Sequence, residues 1–545
     1  MKIFEPKLFF CMKKYSKKQL VSDVVAGIIV AIIALPLSIA LAIASGVSPE
    51  RGLYTAIVAG FVIALLGGSR VNISGPTAAF ATIVAGIVAQ YGVGGLALAT
   101  LMAGVILILM GILKLGSLIK YIPLTITTGF TSGIALTIVI GQIKDFLGLT
   151  FAPGTHAVET TEKLAAVAKS ITTFNPWALL VGGIGLLVLI FWPKVSKKIP
   201  ASLIAVVVGT ALVKLLNINV NTIGDLYSIS SSLPPFALPS FDSALVVELI
   251  PNAFTIAILA AIESLLSCVV SDEMIGSRHN SNTELIAQGA GNICSSLFGG
   301  IPATGAIART AANVKNGGRT PVSGMIHALV LLLVLLVLMP YAAWIPMPII
   351  AAILFMVAYN MCEWRRFVKI CKSATKSDIL VLVVTFVLTV VFDLVVAIAV
   401  GLILAVVLFM KRIADVTHVR EWTRTADGTD ATNLKDIPEY CDVFDIEGPM
   451  FFADTEKFGV IPIETEAKVI ILRMHGVPTM DYSALRVLLT IVRTYKTRGV
   501  TLLLAHVNEQ PMRVMKKSGF IDEIGEEHIL GNIDQALEYA RKMKI

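Results

Sequence analysis

Ile73-Ser74-Gly75-Pro76-Thr77-Ala78-Ala79-Phe80 interrupts an apolar run with small residues and helix breakers, just after Gly67-Gly68. A distant echo, Pro302-Ala303-Thr304-Gly305-Ala306-Ile307-Ala308-Arg309, follows Gly299-Gly300. Unpaired backbone is costly in lipid, so such breaks survive only where protein or a cavity covers them. Two broken segments in matching halves of a chain point to the binding site of a carrier. The expectation is two short helices whose N-termini face one ligand. A helix N-terminus leaves N–H groups unpaired and carries partial positive charge, so that ligand is a small anion. Thr77, Ala78 and Ala79 begin one helix; Ala306, Ile307 and Ala308 begin the other. The glycines and alanines let a ligand approach the backbone, and they would equally serve close helix packing.

The surroundings fit a membrane chain. Its 545 residues are 56% hydrophobic and 15% charged, with a mean hydropathy of +0.82. Apolar runs of about 18 residues or more recur from Val24 to Met410. The net charge of +7 sits largely in short basic loops, as the positive-inside rule expects, and needs no nucleic-acid partner. Residues 1–20 are basic and lack a signal-cleavage pattern, so they read as a cytoplasmic N-terminus. The six cysteines have no metal or redox spacing. No Ser-His-Asp grouping, metal cluster or phosphate loop stands out, so an enzyme is not expected.

Residues 21–415 divide into about fourteen spans. That count puts nearly every basic loop on one side and both termini in the cytoplasm. The third and tenth spans are the short ones after Gly75 and Gly305; the fifth starts at Tyr121-Ile122-Pro123. Phe151–Asn175 and Asn221–Glu248 read as external loops. The halves, about 21–217 and 246–415, repeat: Tyr121-Ile122-Pro123-Leu124 matches Trp344-Ile345-Pro346-Met347 at an offset of 223, and Ser74-Gly75 matches Thr304-Gly305 at 230. Seven spans per half is odd, so the second half is inverted, the architecture of many alternating-access carriers.

Two charges fall within spans. Arg309 opens the tenth, either facing the anion or paired with Glu263 or capping carbonyls. Glu263 lies in the eighth, where a carboxyl able to take a proton would couple proton and anion movement. Ser267 follows one turn later on the same face. Ser38, near Pro36 of the first span, is a candidate for the opposite wall, and both serines could instead bond to their own helices. His327 reads as a packing histidine and Asp393 as interfacial.

Beyond residues 416–439, a polar linker, residues 440–545 alternate strand and helix patterns in a small α/β domain. Gly67-Gly68-Ser69-Arg70, Ile73-Ser74-Gly75-Pro76-Thr77, Gly299-Gly300-Ile301-Pro302 and Asn313-Val314-Lys315-Asn316-Gly317-Gly318-Arg319-Thr320 resemble the SulP family. These are the sulfate permeases and the pendrin–prestin group of anion exchangers; the tail resembles their STAS domain. The resemblance implies a uracil-transporter-like fold of 7+7 inverted spans with core and gate, a homodimer, and a cytoplasmic STAS domain able to meet a protein partner. Ala260–Leu266 and Ala306–Asn313 look closest to bacterial C4-dicarboxylate members, implying the inner membrane and a succinate- or fumarate-like substrate. Sulfate, bicarbonate, exchange, channel-like conduction and sensing stay open. Sodium-coupled bicarbonate carriers of the family have Asp where this chain has Glu263, which favours H+ over Na+, with no cofactor. Asp481-Tyr482-Ser483-Ala484 stands where related antagonists of anti-sigma factors carry a phosphoserine turn; Asp481 itself reads as a helix N-cap.

Overall fold

The computed structural model describes residues 4–13, 15–117, 123–152, 157, 159–196, 199–239, 243–392, 394–421, 437–451, 461 and 465–543. Two compact units divide the chain, residues 1–402 and 403–545. Nine of the described helices are long and apolar enough to cross a membrane.

In order, the first elements are α1 (Lys7–Met12), α2 (Lys17–Ala44), α3 (Pro49–Leu66), β1 (Ser74–Gly75), α4 (Ala78–Ile112), α5 (Leu124–Leu147), α6 (Thr160–Ser170), α7 (Pro176–Val195), α8 (Ala201–Leu215) and α9 (Ile223–Leu226). The second half brings α10 (Ser243–Ile275), α11 (Ser281–Leu297), β2 (Thr304–Gly305), α12 (Ile307–Lys315), α13 (Val322–Ala342), α14 (Met347–Cys362), α15 (Trp364–Ser373), α16 (Lys376–Val391) and α17 (Leu394–Val416). Gly92 has φ 68°, a left-handed value open to glycine, and breaks α4 into two helical pieces. Those pieces are the expected third and fourth spans. With α2, α3, α5, α7, α8, α10 to α14, α16 and α17 they account for the fourteen segments.

Some boundaries differ. α10 begins at Ser243, carrying Glu248 inside a helix where a loop was expected; Tyr91 donates to its carboxylate at 3.0 Å. The 151–175 loop contains α6, closed by a reciprocal cap between Glu159 and Glu162. Tyr121-Ile122 and Asp393 lie outside the described residues.

The core groups α2, α3, α4 and α10 to α13; the gate groups α5, α7, α8, α14 and α16. Small residues set both. A Cβ on Gly104 of α4 would meet the Gly289 carbonyl of α11 at 2.7 Å, and one on Gly289 would meet the Gly104 carbonyl at 2.5 Å. In the gate, a Cβ on Gly133 of α5 would lie 2.6 Å from Thr389 of α16. Without a solvent-driven force between helices in lipid, such backbone approach is what gains dispersion contact.

The second unit is a five-stranded sheet, ordered β3 (His418–Glu421), β4 (Cys441–Glu447), β5 (Val469–Gly476), β6 (Thr501–Ala505) and β7 (Ile529–Leu530). β3 is antiparallel to β4 and the rest are parallel. α18 (Tyr482–Arg498), α19 (Glu509–Lys517) and α20 (Phe520–Ile524) cover one face and α21 (Ile533–Lys542) the other. Strand alternation explains this: Ile470 and Leu472 face one core, Val469 and Ile471 the other. Asp481 caps α18, accepting from the Ala484 N–H at 2.8 Å, as expected. The expected linker 416–439 is corrected at its start: residues 418–421 form β3, an edge strand whose exposed charges hide it from an apolar-pattern reading. Its part from 422 to 436 lies outside the described residues.

Candidate functional site

β1 and β2 pair antiparallel, with Ser74 opposite Gly305 and Gly75 opposite Thr304. The broken segments therefore cross, and α4 and α12 leave the crossing in opposite directions. The Ala306 N–H donates to the Ile73 carbonyl at 2.8 Å and the Ile73 N–H to Thr310 Oγ1 at 3.0 Å, so each arm satisfies backbone of the other. Thr77 and Ala306 are extended residues at the N-caps, and no side chain caps either helix. The first N–H groups of both thus stay unclaimed by side chains.

Glu263 and Arg309 both reach the first arm at this crossing. Thr77 Oγ1 donates to Glu263 Oε2 at 2.9 Å, which sets a half-buried carboxylate beside the N-terminus of α4. Arg309 is only 3% exposed. Its Nη2 donates to the Pro76 carbonyl at 3.0 Å, while Nη1 has no partner. A Cβ on Gly75 would lie 2.7 Å from Nη1, so glycine there makes room for the guanidinium. Glu263 and Arg309 form no ion pair with each other, and the Arg309 guanidinium caps the Pro76 carbonyl. Ala78 and Ala79 are buried and Thr77 half-buried, whereas Ile307 and Ala308 are exposed and Ala306 partly so.

The serines separate. Ser267 was expected beside Glu263 as a coupling group. Its hydroxyl instead donates to Asn72 Oδ1 at 2.7 Å and to Thr310 at 3.1 Å, inside a buried network behind the crossing. Ser38 is fully buried in α2, its hydroxyl without a partner, and its carbonyl occupies the space a Cβ on Gly52 of α3 would need. His327 is buried as expected, yet its Nε2 has no partner.

The residue missed is Glu284. It is wholly buried in α11, and Oε2 accepts from the N–H groups of Gly68 at 2.9 Å and Ser69 at 3.1 Å. Oε1 accepts from Asn72 at 2.8 Å and from Ser264 and Gln288, each at 3.2 Å. Further along, Gln288 reaches Ser74 at 3.0 Å, Asn292 bonds both the N–H and carbonyl of Ala303, and Ser295 takes the Ile301 carbonyl at 2.7 Å. One face of α11 thus covers the irregular backbone of both arms. Glu284, Gln288 and Asn292 recur every four residues in an apolar span, a polar stripe that a helical-period reading would have found.

A Ser-His-Asp chain occurs, although no such grouping stands out in the sequence. Ser281 Oγ lies 3.0 Å from His279 Nε2, and His279 Nδ1 lies 2.8 Å from Asp272 Oδ2. That oxygen also accepts the His279 backbone N–H at 2.7 Å. Gly276, at φ 62°, reverses the chain between them, so the cluster staples the α10–α11 turn. Among the described residues no group of His, Cys, Asp and Glu is arranged to hold a metal.

Comparison with known proteins agrees with this architecture. The sulfate permease family matches residues 20–385 and the STAS domain residues 434–539. YvdB of Bacillus subtilis, a candidate sulfate transporter, is 40% identical over 532 residues, 96% of this chain and 98% of its own. The bicarbonate transporter BicA of Picosynechococcus is 34% identical over 428 residues, 75% of each chain. The transmembrane domain of a cyanobacterial BicA superposes with a TM-score of 0.63 at 32% identity, covering 72% of this chain and 99% of that one. Murine Slc26a9, an anion transporter in its inward-facing state, shares the fold at a TM-score of 0.88 and 20% identity, over 98% of this chain and 94% of its own. With its broken arms crossing in a helical core and a STAS domain following in the chain, this protein belongs to the sulfate permease family of membrane anion transporters, not to a family of enzymes.

Proposed function

We propose that the chain carries a small oxyanion by alternating access, coupled to protons, with the anion between the N-termini of α4 and α12. The observation that supports this reading is the antiparallel β1–β2 crossing, just after which both helices begin. Thr77, Ala78 and Ala79 offer backbone N–H groups from one side, and Ala306, Ile307 and Ala308 from the other. Arg309 adds a buried positive charge with one nitrogen free to face the anion. Ser38 contributes a hydroxyl from the facing helix, whereas Ser267 acts only by holding Asn72 and Thr310. Glu263, tied to Thr77, repels an anion when ionised; a proton on it removes that repulsion, so proton and anion travel together.

A succinate- or fumarate-like dicarboxylate or sulfate is the proposed cargo, since a dianion gains most from two dipole ends and a guanidinium. Bicarbonate is the second reading, favoured by the 34% identity to BicA. The basic loops support cytoplasmic termini and a bacterial inner-membrane location. A homodimer, and a protein partner for the STAS domain, follow from family likeness.

The test is uptake of labelled succinate, sulfate and bicarbonate into proteoliposomes, with and without an inward proton gradient, for wild type and Glu263→Gln. Glutamine keeps an acceptor for Thr77 and removes the charge. Gradient-driven uptake of one dianion, lost in the variant, is expected. Uptake indifferent to the gradient and to the variant would overturn proton coupling; bicarbonate uptake alone would replace the cargo.

A further inference from the structure

Among the described helices of the membrane unit α15 is the most amphipathic, and the anion site makes no use of it. It leaves α14 through Glu363, a non-glycine residue at φ 42°, so the chain turns sharply at the end of a span. Ser132 of α5 donates to the Cys362 carbonyl at 2.8 Å and holds that end in place. At about 100° per residue, Trp364, Phe367, Val368, Ile370 and Cys371 share one arc, and Arg365, Arg366, Lys369 and Lys372 share the other. The apolar arc is itself divided. Phe367, Ile370 and Cys371 are half-buried, with the Phe367 ring 5.5 Å from Phe386 of α16. Trp364 and Val368 remain 46% and 39% exposed, one turn apart.

Basic groups rim that exposed pair. The Arg365 guanidinium lies 5.5 Å from the Trp364 ring centroid. Arg366 pairs with Glu363, while Arg365, Lys369, Lys372 and Lys376 make no ion pair among the described residues. The sequence has no acidic residue between Trp364 and Ser377, and Asp378 is bonded to Thr375. An apolar strip bordered by unpaired cations, at the end of a span, matches the boundary between acyl chains and negatively charged headgroups.

We propose that α15 lies in the membrane interface and binds anionic phospholipid, with headgroup phosphates on Arg365, Lys369 and Lys372 and acyl chain against Trp364 and Val368. This surface is independent of the cargo.

Trp364 is its own reporter. Full-length protein is reconstituted in phosphatidylcholine vesicles containing brominated phosphatidylglycerol or brominated phosphatidylcholine. The Trp364 contribution is the difference in quenching between wild type and Trp364→Phe. Quenching by the brominated anionic lipid is expected at a mole fraction at least tenfold lower than by the neutral one, with the preference reduced by salt. Each cation contributes about fivefold, so R365Q/K369Q/K372Q should remove the preference. Equal quenching by both lipids, quenching by neither, or an unchanged preference in the triple variant would overturn the proposal. If the triple variant fails to fold, Lys369→Gln alone must lower the preference, and the wild-type lipid comparison decides independently.

Discussion

At Glu284 one carboxylate collects five donors from α10, α11 and the first broken arm. Glutamine there turns an amide N–H₂ toward groups that are themselves donors. A buried donor left unmet costs about 1–3 kcal/mol, so Glu284→Gln should destabilise the core by about 3 kcal/mol. A thermal melt in detergent checks this; Glu263→Gln, with one neutral partner to satisfy, should melt close to wild type. Arg309→Gln keeps a donor for the Pro76 carbonyl but loses the charge, and should raise KM for the anion about tenfold, a loss of about 1.4 kcal/mol. In the second unit, burial pushes the Asp445 carboxyl above its ordinary pKa, outweighing the opposing pull of Arg473, His475 and Arg420. The folded state then holds this proton more tightly than the unfolded one. Its contribution favours folding at low pH and fades as pH rises through the raised value. Hydrogen exchange in β4, corrected for intrinsic rates, should show protection gained on mild acidification in wild type and not in Asp445→Asn.

Glycine contacts decide how elements meet. The mutual approach of Gly104 and Gly289 leaves no room for side chains where α4 crosses α11. Gly289→Leu should separate these helices and expose the backbone the α11 stripe covers, costing about 3 kcal/mol or more in melting and abolishing uptake. Spans such as α2, α7, α13 and α17 were legible because length and apolarity suffice to mark them. The start of α10 and the presence of α6 were not, since polar residues at the membrane edge serve helix and loop alike. The division between the third and fourth spans was legible, but not its place at the left-handed Gly92, nor that it is a kink within one run of helix.

On the scale of the molecule, membrane core and sheet domain have separate apolar interiors. Calorimetry of the full chain should show two transitions, one shifted alone by Asp445→Asn in the sheet domain and the other shifted alone by Glu284→Gln in the membrane core. A single transition moved by both substitutions would mean the interiors unfold as one.

The sequence by itself determined the class of the molecule, because membrane solvation is read from composition and loop charge, and a repeated break at a common offset announces two matching arms. It also singled out Glu263, Thr77 and Arg309, since charges and helix breakers within apolar runs are rare enough to be noticed singly. Only the tertiary structure decided which of these meet. Thr77 and Glu263 are 186 positions apart, and Arg309 and the Pro76 carbonyl 233. Ser267, adjacent to Glu263 in helical spacing, turns out to serve Asn72 because hydrogen-bond partners are chosen by packing between helices. Helical period fixes a residue's face, but what that face meets is set by the neighbours folded against it.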